Sequence, residues 1–160
     1  MDERTSQHVR LILEDTRHLG EKAAGECLAV SAATFARANA LRSSGRWSDA
    51  GRTLEAVGAA FIEESIKRIR PIATNNEAFA LMSEATDEFL TFLGQEFDKV
   101  LRKISDNTVL SVMSPDNDSG PAMLWRDSSI RLRRKLELAR FSFTDTPGPS
   151  EVIHREPPQP

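Results

Sequence analysis

The chain has 160 residues, enough for one domain with its own core, and its 39% hydrophobic and 28% charged residues are ordinary for a globular protein. A net charge of −3 argues against general nucleic-acid binding, and no run of about 18 apolar residues offers a transmembrane segment. The start, Met1-Asp-Glu-Arg-Thr-Ser-Gln, lacks the apolar core of a signal peptide, and a lone cysteine, Cys27, has no internal disulfide partner, so a reducing, cytoplasmic setting is expected.

The first predicted helix covers Ser6–Arg42. Val9, Ile12, Leu13 and Leu19 make a clear apolar stripe, which continues more weakly through Ala23, Cys27, Val30 and Phe35 to Leu41. Gly20 and Gly25 are candidate breaks, since glycine costs a helix roughly 1 kcal/mol against alanine. Ser43-Ser44-Gly45 reads as the stop. The second helix runs from Asp49 to Arg70, with Ser48 as its expected cap and Leu54, Val57, Phe61, Ile62, Ile66 and Ile69 on its buried side. Pro71 ends it, because proline disfavours helical geometry in the residue before it.

Thr74-Asn-Asn-Glu77 fits a capping box for a third helix. There the apolar residues Phe79, Met82, Phe89, Leu93, Phe97, Val100 and Ile104 alternate at spacings of three and four, broken only by Thr86. So regular a band demands burial, in the core or in an oligomer seam. At 1.5 Å per residue an unbroken helix here is about 45 Å long, more than a compact domain of this size requires, so a second copy is expected to complete it as a homodimer.

Ser105–Ala122 concentrates turn formers and reads as a loop. Met123–Phe143 is ambiguous between helix and strand: Trp125, Leu132, Leu136, Ala139 and Phe143 share a helical stripe, while Leu136-Glu-Leu138 and Phe141-Ser-Phe143 alternate. Helix is favoured, because a lone strand has no partner. Thr144–Pro160 is proline-rich and reads as a solvated tail. The predicted fold is all-α, an antiparallel bundle of about four helices over residues 1–143 with a disordered tail over 144–160.

The last helix carries the main candidate surface. Arg126, Arg131, Arg133, Arg134, Lys135 and Arg140 oppose only Asp127 and Glu137, a surplus of four positive charges. Arg126, Arg133 and Arg140 recur every seven residues, and with Arg134 they form a basic face suited to an acidic protein, an anionic surface or nucleic acid. The plainer expectation is that these bases pair with acidic helices of the same chain.

Other chemistry is thin. His18 is followed by Leu19, Gly20, Glu21 and Lys22, and a phosphotransfer bundle would place the lysine one residue earlier. Glu63-Glu64 and Glu84-x-x-Asp87-Glu88 pair acids without the Glu-x-x-His of a di-iron bundle. Cys27 reads as a small buried thiol, and Trp47 and Trp125 as caps over helix ends. No glycine-rich phosphate loop or Gly-x-Ser-x-Gly is present, and no cofactor is implied. The expectation is a non-enzymatic helical interaction or scaffold protein that self-associates through the third helix. The alternatives are a phosphotransfer or small-ligand bundle and a surface coat. For the last, the Ala-rich composition over Ala23–Ala73 resembles that of phasins, which coat bacterial storage granules; that resemblance implies apolar bands turned toward a lipid or polymer surface.

Overall fold

The computed structural model describes residues 1–40, 43–104 and 110–143, so the proline-rich tail and the start of the long loop lie outside the described residues. Four helices follow one another: α1 (Glu3–Arg37), α2 (Ser44–Ile69), α3 (Asn76–Ile104) and α4 (Gly120–Ala139), the last closed by a 3₁₀ turn at Arg140–Ser142. No strand occurs among the described residues, and no described helix is long and apolar enough to cross a membrane.

Local chemistry sets the helix ends, in places away from the expected ones. α1 begins early because Asp2 accepts a hydrogen bond from the Thr5 amide at 2.7 Å. It runs unbroken through Gly20 and Gly25, then stops at Asn39, which sits in the left-handed region at φ 55°. The Ala40 amide reaches Phe35 O at 2.8 Å and the Asn39 amide reaches Ala36 O at 3.1 Å, a Schellman closure. The Ser-Ser-Gly stretch expected to stop this helix instead starts α2. Asn75, not Thr74, caps α3, its Oδ1 accepting from the Ala78 amide at 2.9 Å. Ser119 caps α4 with Pro121 in its first turn, and burial of Trp125, Leu132 and Leu136 along one face resolves the last segment as helix.

The helices run up, down, up, down. Met1 and Glu77 meet at one end, Asp15 pairs with Arg68 at 2.8 Å, and Phe79 packs on Phe143. α2 packs against all three other helices, while α1 and α4 each rest on the α2–α3 pair. At the centre Phe61 of α2 stacks on Phe89 of α3, ring centroids 4.5 Å apart, and Phe97 meets Trp125 of α4 edge-on at 5.9 Å. Close approach needs missing side chains: a Cβ on Gly20 would lie 2.6 Å from the Phe89 ring, and one on Gly58 2.8 Å from Leu132.

Phe79, Met82, Phe89, Leu93, Phe97 and Val100 are buried within the single chain, and Ile104 is half-buried. The apolar band of α3 is thus used in the chain's own core and needs no second copy to cover it. Thr86, the break in the pattern, is buried too; its hydroxyl donates to Met82 O at 2.8 Å and so is satisfied.

Phe89→Ala removes the ring on which both Phe61 and Gly20 rest. It is expected to cost about 3–5 kcal/mol in urea unfolding, whereas a loss below about 1 kcal/mol would show that this ring is not central to the core.

Candidate functional site

The basic face of α4 comes first, since the sequence singles it out. Arg131 donates to both carboxylate oxygens of Glu55 on α2, at 2.5 and 3.1 Å. These bonds hold the Glu55 carboxyl below the usual glutamate range; partial burial opposes them and the Ser128 hydroxyl assists. Arg133 reaches Asp87 on α3 at 2.5 Å, and Lys135 reaches Glu63 on α2 at 2.8 Å. Arg140 pairs with Glu137 at 3.2 Å and lies 5.0 Å over the Phe79 ring. The acids Glu63 and Asp87, candidate metal ligands by sequence, are therefore partners of α4, and Glu88 pairs with Arg17 at 3.0 Å.

Arg126 is turned to a different task. Its guanidinium donates to the carbonyls of Ser114 and Pro115, each at 3.3 Å, and to that of Asn117. From the other side, the buried Asp98 of α3 accepts from the Ser111 hydroxyl at 2.7 Å and the Val112 amide at 2.9 Å. The segment 110–119 is thus pinned between α3 and α4, and Arg126 serves the loop. Of the four residues expected to bind a partner, Arg126, Arg133 and Arg140 are engaged within the chain, and among the described residues no carboxylate pairs with Arg134. Arg134 lies on an outward line of α4 with Met123, Ile130 and Leu138, continued by Phe141 of the 3₁₀ turn, which is 78% exposed.

The second surface lies largely within Ala23–Ala73, where the resemblance in Ala-rich composition implies apolar bands turned outward but the sequence names no residue as a partner site. α1 touches α3 along its first half, where Arg17 meets Glu88 and Gly20 meets Phe89. Farther along, its contacts run to α2: Ser31 donates to Asp49, and Phe35 lies against Gly45. The outer side of this hairpin is an elongated groove of about 1100 Å³. Its walls are Leu19, Ala23, Cys27 and Val30 from α1, and Ala56, Ala60 and Phe61 from α2. Val30 is 67% exposed and Leu19 more than half exposed.

Cys27, expected to be buried, is exposed in this groove. The expectation fails because no described helix lies across from the Ala-rich face of α1. The weakening of the apolar stripe after Leu19 was the available signal: small side chains there mark a face that the chain's own core does not fill. Trp125 is buried against Phe97, and Trp47 packs beside Gly120 at the start of α4. His18 stands exposed between Glu14 at 3.8 Å and Glu21 at 4.0 Å, outside the groove. Among the described residues no three His, Cys, Asp or Glu side chains come together as a metal site.

Comparisons with protein families, curated proteins and solved structures found no match.

The structure of α4 carries two expected outcomes. Arg126→Ala is expected to cost about 1–3 kcal/mol, since it strips donors from three carbonyls, while Arg134→Ala stays within about 0.5 kcal/mol. Equal effects in denaturant titrations would contradict the pinning of the loop. For Glu55, a folded carboxyl pKa below the unfolded value means stability that is complete above the unfolded pKa of about 4.3 and is lost as pH falls through the folded one. Arg131→Met therefore loses less stability than the parent when urea midpoints are compared at pH 7 and below about pH 4.

Proposed function

We propose that this chain is a helical interaction protein, not an enzyme, and that its docking face is the groove between α1 and α2. The observation that carries this reading is an apolar surface left open along the α1–α2 hairpin: Leu19 and Val30 of α1 and Ala56 and Ala60 of α2 stand out to solvent, while the apolar stripe of α3 is buried. A contiguous apolar groove with a polar rim is the usual mark of an interaction or binding site. The groove's nucleophile, Cys27, has no histidine among the described lining residues to activate it, which supports binding over catalysis.

A second reading keeps the partner on α4. It is favoured by the outward line of Met123, Ile130, Leu138 and Phe141 around Arg134, which suits an acidic protein or an anionic surface. Against it, Arg133, Lys135 and Arg131 already have carboxylates beside them, so little net charge is left to attract a partner.

Val30→Glu tests the groove. The side chain is exposed, so urea stability is expected to stay within about 0.5 kcal/mol. Binding of a synthetic amphipathic helix of about 18 residues with neutral flanks, read by fluorescence anisotropy, is expected to fall by about tenfold or more. A parent protein that ignores the peptide would remove the groove reading, and a loss in Arg134→Glu instead of Val30→Glu would move the docking face to α4.

A further inference from the structure

If the groove is a docking face, as proposed for it, its shape and charge narrow the occupant. Along α1 the lining runs from Thr16 to Phe35. At 1.5 Å per residue that is about 28 Å, the length of a helix of some five turns and far beyond a compact small molecule. Ala23, Ala56 and Ala60 keep both walls low, so a third helix can approach to the separation of about 8–10 Å at which helices pack.

Charge then separates the candidates. The charged residues lining the groove are Glu26, Asp49 and Glu64, and among the described residues no lysine or arginine lines it. The acids are spread along its length: Glu64 stands late in α2, level with the start of the groove on α1, Glu26 lies midway on the α1 wall, and Asp49 sits at the far end, where it accepts from Ser31. Lys22 comes within 4.0 Å of Glu26 along α1 but does not line the groove itself. A second copy of this chain docking through the same patch would be related by two-fold symmetry. That symmetry would bring both sets of three acids into one seam, where like charges repel.

We infer that the groove receives an amphipathic α-helix of another protein whose apolar face is flanked by lysine or arginine. The apolar stripe fills the space over Ala23, Cys27, Val30, Ala56 and Ala60, and the flanking bases reach Glu26 and Glu64, both of them exposed on the rim.

The test uses two synthetic helices of about 18 residues with the same leucine and alanine face, one flanked by lysine and the other by glutamate. Each is titrated against the full chain by fluorescence anisotropy, at about 50 mM and about 500 mM salt. The lysine-flanked helix is expected to bind about tenfold tighter at low salt, and this preference is expected to shrink at high salt. The double variant Glu26→Lys and Glu64→Lys is expected to reverse the order of the two peptides. Equal affinities in the parent would overturn the basic partner while leaving the groove as a docking face. Failure of both peptides to bind would overturn the docking reading itself. A parent dimer in light scattering that Val30→Glu turns into a monomer would place a second copy in the groove and overturn the inference.

Discussion

The stack of Phe61 on Phe89 fixes the arrangement of the bundle. It joins α2 to α3 at mid-height, and Gly20 of α1 rests on the same Phe89 ring. Because a side chain at Gly20 would collide with that ring, α1 is drawn close to the α2–α3 pair at this one level. α4 nests from the opposite flank, with Leu132 over Gly58 and Trp125 against Phe97. The result places α2 at the centre, in contact with every other helix, and leaves α1 and α4 as the two outer layers.

That layering explains why the two candidate surfaces differ. α4 sits on acidic partners from both central helices, so Arg131, Arg133 and Lys135 are neutralised where they emerge: Glu55 and Glu63 come from α2, and Asp87 from α3. Each exposed pair contributes little to stability, but together they fix the register of α4 and lower its pull on distant anions. α1 is longer than the bundle needs. Past Gly20 its partners are on α2, at Asp49 and Gly45, and no described element lies across from the groove beside them. The groove follows from the mismatch between a 35-residue helix and the neighbours available to cover it.

The loop before α4 obeys the same rule of burial. Asp98 is a carboxylate among core residues, and it is tolerated because Ser111 and Val112 supply its hydrogen bonds. Arg126 supplies the opposite kind of group, a fork of donors that joins the Asn117 amide on the Ser114 carbonyl and reaches the carbonyl of Pro115 as well. A heptad spacing that reads as a binding face in one dimension thus includes a residue whose role is to hold a turn.

The four helices, their order and the buried stripes of α2, α3 and α4 were legible in the residue pattern, whereas Leu19 and Val30, on the apolar stripe of α1, stand out to solvent. Apolar spacing is a local property, and α3 buries the residues its pattern names, from Phe79 to Val100. Helix ends were less legible, because they turn on which side chain reaches which amide and which residue takes the left-handed turn; Asn75 does the first in place of Thr74, and Asn39 the second in place of Gly45. The state of the candidate surfaces came from packing. Whether Arg133 is free depends on Asp87, 46 positions away in the chain, and whether Cys27 is buried depends on a covering helix that no described residue supplies. Charge and periodicity show what a face can do, but only the packed chain shows whether that face has already been used on itself.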